Sequence, residues 1–241
     1  MRIPVTFCLL IWIAALAVTP AEARSCGREA THLLRTSRDL VKVWEQDPDT
    51  VEWGNFASSV RVSPAAWFRT ADDFTLTTDD HIVAIEWWGR KRSSSTIDSV
   101  RVTIFENEPD TRYPVPGDTV VYQEHITAFT EVEINSTPPH HDSHYTADLP
   151  VPFVPEAGET YWLCVQPIIQ DQQFWWMATV EDDYWGAEAT FTSDFFGVYD
   201  WITVSEQSMV VDYMEMAFIL WADDCTVVEG TTWGAIKAMY R

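Results

Sequence analysis

Alternation of apolar and polar positions at period two dominates this chain from about residue 58 onward. The clearest instance is Ala71–Gly89, ADDFTLTTDDHIVAIEWWG, where Val83, Ile85 and Trp87 fall on one face and Ala84, Glu86 and Trp88 on the other. That is how a half-buried antiparallel strand is written. Val100, Val102 and Ile104 repeat the pattern, as do Tyr161, Leu163 and Val165. Strands are predicted near 58–62, 72–76, 81–89, 98–106, 119–127, 144–148, 160–167, 173–180, 189–192 and 209–221. The last, Met209–Trp221, is long and mostly apolar, as a central strand packed on both faces requires. Glu108–Gly117, with three prolines, and Asn135–Asp142 (NSTPPHHD) read as connections.

Helical spacing is confined to the ends. Leu33, Leu34, Leu40, Val41 and Trp44 recur near a helical period within residues 28–46, and Pro48 stops the run. In Thr231–Arg241, Trp233, Ile236 and Tyr240 share a helical face, with Lys237 and Arg241 near the C-terminal end. Regular strands with no helices between them define an all-β, antiparallel β-sandwich of jelly-roll type, flanked by short N-terminal and C-terminal helical segments.

Arg2, the apolar run Phe7–Val18 and Ala21-Glu22-Ala23 form a signal peptide with cleavage expected after Ala23. The expected organisation is a signal peptide over 1–23, a lead-in over 24–56, the sandwich over 57–225 and a tail over 226–241. No stretch after the signal is apolar enough to span a bilayer, so the expectation is a protein secreted to the extracellular space or cell surface.

The formal charge is −22, from 37 acidic and 15 basic residues. So acidic a surface repels nucleic acid and anionic membranes, and it suits neutral or cationic partners or bound calcium. Cys8 leaves with the signal, and Cys164 sits mid-strand as a small buried thiol. Cys26 and Cys225 near the domain ends are then the candidate disulfide, with three free thiols as the alternative.

Several motifs recur in a familiar order. Val43-Trp44-Glu45-Gln46-Asp47-Pro48-Asp49 precedes Ala71-Asp72-Asp73-Phe74 and Ile85-Glu86-Trp87-Trp88-Gly89. Pro116-Gly117-Asp118 with Val121-Tyr122, and then Thr160-Tyr161-Trp162-Leu163, follow. The series resembles an uncharacterised family of secreted bacterial β-sandwich domains marked by KW-x-Q-x-PD, ADDF and WWG blocks, with Val43 in place of the usual basic residue. The resemblance implies an exported module and brings no activity with it.

Three constellations carry candidate chemistry. Asp72, Asp73, Asp79 and Asp80 form the first candidate calcium site, with Glu181–Asp183 and Asp223–Asp224 as further acidic groups. None follows the spaced EF-hand loop. The plainer reading has them capping turns, with Asp73 bonding backbone amides inside the fold. Trp175, Tyr184, Trp185, Tyr199 and Trp201, interleaved with acids, form a candidate sugar-binding aromatic face. His140, His141 and His144 could supply zinc or copper if a loop gathered them, although a solvated loop is the ordinary alternative.

Nucleophile elbow, phosphate loop and dinucleotide fingerprint are all missing, and no acid pair is singled out by spacing, so no enzyme is expected. The expectation is a non-catalytic extracellular or cell-surface binding module. Its first ligand class is polysaccharide, with no cofactor beyond a candidate calcium ion. The alternative is a structural or assembly component of the cell surface that uses the tail for attachment.

Overall fold

The computed structural model describes residues 40–50, 54–108, 114–170, 172–179, 186–208 and 213–223. The chain divides into two units, Met1–Leu34 and Arg35–Arg241, and every described residue belongs to the second. The first strands are β1 (Leu40–Gln46), β2 (Asn55–Ala57), β3 (Ser59–Arg61), β4 (Ala66–Thr75) and β5 (Ile82–Arg92). β6 (Ile97–Glu108), β7 (Val115–Ile126), β8 (Thr130–Thr137), β9 (His140–Phe153) and β10 (Thr160–Ile169) follow. β11 (Trp175–Met177), β12 (Thr190–Ser193), β13 (Val198–Thr203), the one-turn helix α1 (Val204–Ser208) and β14 (Phe218–Asp223) complete the described set.

These strands form two sheets packed as a sandwich. In sheet one, β5 is central: β9 runs along one edge and carries β8, while β14 and β11 follow one another along the other edge. β1 pairs with β14, and β2 with β11. Sheet two runs β13-β12-β4-β3-β10-β6-β7, and β4 also pairs directly with β10. All pairings are antiparallel except β3 with β10.

From Ala84 onward the alternation in β5 sorts as the sequence requires, whereas a register shift between Ile82 and Ala84 puts Ile82 rather than Val83 in the main core. Ile85 and Trp87 are buried in the main core with Phe68, Phe74, Phe174, Trp176 and Phe218. Trp87 stacks on Tyr145 at 5.3 Å and 11°. Gly89 ends the WWG block for a packing reason: a Cβ there would lie 1.9 Å from Cζ of Phe174.

The expected terminal helices are not supported. Leu40–Gln46 is a strand, so the sheet begins upstream of residue 57. A register shift between Lys42 and Trp44 displaces the alternation by one residue, which is why the stretch imitates helical spacing. Residues 28–39 and the tail 226–241 lie outside the described residues. The loop expected at Asn135–Asp142 is instead the turn of a hairpin, with Pro138 and Pro139 between β8 and β9. The long final strand is shorter than its apolar run and begins at Phe218.

Candidate functional site

The predicted aromatic face divides between the two sheets. Trp175 is half-buried on β11 of sheet one. Tyr199 and Trp201 are on β13 of sheet two, where Tyr199 is 74% exposed and Trp201 packs edge-on against Phe105 at 5.6 Å. Tyr184 and Trp185 lie outside the described residues. Nearness in sequence therefore does not bring Trp175 and Trp201 onto one face.

The outer face of sheet one gathers a different set. Ala84, Glu86, Trp88 and Arg90 alternate with the core positions of β5 and so point away from sheet two. Trp221 stands directly opposite Ala84 on β14, and Trp175 directly opposite Arg90 on β11. Directly paired residues share a face. Trp175, Trp88 and Trp221, all half-buried, are thus spread over roughly 20 Å along one surface.

Polar contacts hold this face in shape. Trp88 stacks on His144 at 4.6 Å and 11°, and His144 Nε2 hydrogen-bonds Glu86 Oε2 at 2.7 Å. Arg90 grips Asp142 with Nε at 2.6 Å and Nη2 at 3.1 Å. His140 sets its ring edge against Trp175 at 5.7 Å. At the Trp221 end the face deepens into an open groove of about 870 Å³, lined by Trp221, Ala84, Glu86, Thr146, Asp148 and Phe129 among others.

The acidic candidates divide between an exposed turn and β4. Asp79 is exposed and Asp80 accepts a hydrogen bond from the Thr78 hydroxyl at 2.6 Å, both outside the strands. Asp72 and Asp73 are buried in β4. Asp72 Oδ2 accepts from the Met216 N–H at 2.6 Å and its Oδ1 from the Asp73 N–H at 3.1 Å. Asp73 Oδ1 accepts from the Ala187 N–H at 2.8 Å.

A third buried carboxylate, Glu215, joins them without having been singled out by its sequence. It accepts from Gln46 Nε2 at 2.6 Å, from the Tyr213 hydroxyl at 2.9 Å and from the Gly186 N–H at 3.2 Å. Burial pushes Asp72 well above the ordinary carboxylate range, and the charges of Asp73 and Glu215 add to the effect. Burial also raises Asp73, to about 6, against the lowering effect of the Ala187 N–H. Among the described residues, no three carboxylate, imidazole or thiol groups are arranged to hold a metal ion. These acids fasten backbone segments.

The histidines do not converge either. His140 and His144 share the outer face of sheet one, whereas His141 alternates to the other side and pairs with Glu133 at 2.5 Å. Cys164 is a buried free thiol, pushed up to about 12 by burial. The candidate disulfide partners Cys26 and Cys225 lie outside the described residues.

Fold and surface together define an all-β sandwich domain with an aromatic and polar outer face on sheet one. By sequence the chain belongs to the family described as a domain of unknown function, DUF7901, which matches residues 42–221. No curated protein and no solved structure matches it. The family match begins inside β1 and ends at Trp221 inside β14, so it takes in most of the residues that line the Trp221 groove.

Proposed function

We propose that this protein is a secreted, non-catalytic module that binds polysaccharide on the outer face of sheet one. The observation that carries the reading is the alignment of half-buried Trp175, Trp88 and Trp221 on one sheet face that ends in a groove. Flat indole rings cover the C–H faces of sugar rings, while Glu86 and the threonines of the groove offer hydrogen-bonding partners. Three rings spread along one sheet face suit a chain of sugars better than a single one. The net charge of −22 disfavours nucleic acid as the ligand. Arg2, the apolar run and the Ala21-Glu22-Ala23 site support export.

The test is binding of the purified protein to a panel of soluble and insoluble neutral polysaccharides, by affinity electrophoresis and pull-down. Saturable binding that falls at least tenfold in Trp221→Ala or Trp88→Ala, with folding intact, supports the reading. Absence of binding across the panel overturns it. The second reading, a structural component of the cell surface, is favoured by Phe195 and Phe196, which are 54% and 51% exposed at the β12–β13 turn. Loss of surface retention on removal of residues 226–241, with no polysaccharide bound, would establish it.

A further inference from the structure

On the opposite side of the molecule, the geometry points to a second binding site: an oxyanion cradle formed by Arg69 and Arg101 on the outer face of sheet two, suited to an acidic group carried on a sugar ring. The site is separate from the Trp88–Trp221 face and does not depend on it.

Strand pairing puts the two arginines on one surface. Cys164 of β10 lies directly opposite Ala71 of β4 on one side and Thr103 of β6 on the other. Arg69 is two residues along β4 from Ala71, and Arg101 two along β6 from Thr103, so both point to the face that Cys164 shares. Arg101 is directly opposite Gln166 on β10. β4 pairs with β10 only as far as Ala71, and β3 enters between them from Ser59 opposite Phe68, so the two side chains lie on either side of β10, two to three strand spacings or roughly 10–14 Å apart between backbones. Both charges reach Cys164 and act on its thiol in the direction opposite to burial.

Their partners differ from those of the cations on sheet one. On sheet one, Arg90 is paired with Asp142 and Lys91 with Glu131. In a chain with 37 acidic residues, carboxylates are plentiful. Yet among the described residues, neither Arg69 nor Arg101 has a carboxylate within ion-pair distance. Arg69 instead lies over the Trp67 ring at 4.8 Å, and Arg101 Nε donates to His125 Nε2 at 3.4 Å. Both residues are half-buried, and the groups that hold their guanidiniums leave the charge uncompensated.

A guanidinium presents a fixed fork of donors that matches a carboxylate or sulfate. Trp67, stacked on Arg69, and Trp201, half-buried on the same face against Phe105, supply flat apolar surfaces nearby. An oxyanion on a sugar ring, as a uronate carboxylate or a sulfate ester, fits that combination. The negative charge of the rest of the molecule does not forbid it. At physiological salt, charges more than about 8 Å away are largely screened, whereas the two arginines act at contact.

The experiment titrates the purified protein by calorimetry with oligogalacturonate, with a sulfated dextran oligosaccharide and with unsulfated dextran. The parent chain, Arg69→Gln, Arg101→Gln and Trp221→Ala are compared, and near-ultraviolet circular dichroism confirms that each variant is folded. The expected result is saturable binding of at least one acidic sugar, reduced tenfold or more by each arginine substitution and unchanged by Trp221→Ala. Which acidic sugar responds identifies carboxylate or sulfate as the recognised group. No binding of either acidic sugar at millimolar concentration overturns the assignment. So does binding that survives the Arg69→Gln/Arg101→Gln double variant, or binding to Trp221→Ala that unsulfated dextran matches.

Discussion

Asp72 of sheet two accepts a hydrogen bond from the backbone N–H of Met216 at 2.6 Å, two residues before the strand that runs beside β5 in sheet one. Its other oxygen is taken by the Asp73 N–H, so both acceptors are committed inside the core. Asparagine has nearly the same shape but only one acceptor, and its amide would face one of these N–H groups. Asp72→Asn is expected to lose about 1–3 kcal/mol, the cost of leaving a buried polar group unmatched. Urea denaturation followed by tryptophan fluorescence measures it. A variant as stable as the parent would show that the Met216 contact does not help hold the sheets together.

Asp73 makes stability depend on pH. Burial and the charge of Glu215 raise its pKa to about 6 against the opposing Ala187 N–H, whereas an unfolded aspartate titrates near 3.9. The folded state therefore holds the proton more tightly. The group's contribution favours folding below about pH 4 and is lost as pH rises through about 6. Two units correspond to roughly 2–3 kcal/mol at full effect. Asp73→Asn keeps the acceptor for Ala187 and cannot ionise. Its stability relative to the parent should rise by an amount of that order between pH 4 and pH 7.5. A parent–variant difference that stays flat over this range would rule Asp73 out as the titrating group.

Gly89 is expected to tolerate no side chain. A Cβ would meet the Phe174 ring at 1.9 Å, and both residues belong to the packed interior. Gly89→Ala should cost about 1–3 kcal/mol through overpacking. Adding Phe174→Leu should recover part of that loss, because it removes the atoms that clash. A double variant no better than the sum of the two singles would place the strain elsewhere.

The parts of the fold that could be read from sequence are those where one face is dry and the other wet. β5 and β10 announce themselves because Ile85 and Trp87, or Leu163 and Val165, face a single core. β1 does not, because its register shift turns an alternating strand into something with helical spacing. β8 alternates in TEVEINST, but almost every residue is exposed, so nothing apolar marks a buried side. The ADDF block stood out in the sequence, and the reading of Asp73 as a backbone acceptor anticipated its bond to Ala187. Glu215 was hidden inside an apolar run, its role visible only once Gln46 and Gly186 are brought to it from distant parts of the chain. The aromatic residues were the hardest to place. Trp175 and Trp201 are close in sequence but belong to different sheets, while Trp88 and Trp221 come onto one face only through the pairing of β14 with β5.

The Trp88 ring is held by a chain of contacts that the ligand would find already formed. Glu86 fixes His144, and His144 stacks on Trp88 with its plane nearly parallel. Replacing His144 by alanine leaves the indole in place but removes what orients it, so the ring must be ordered when a sugar arrives. If the outer face of sheet one binds polysaccharide, His144→Ala should weaken binding about threefold to tenfold, which corresponds to roughly 0.7–1.4 kcal/mol. The same substitution removes one half-exposed hydrogen bond and a ring contact, so stability should fall by only about 1 kcal/mol. Parallel titrations and melts of His144→Ala and Trp88→Ala separate the two effects. Trp88→Ala should abolish what His144→Ala merely weakens. Equal losses from both would mean that the imidazole itself contacts the ligand, and no loss from either would remove Trp88 from the binding face.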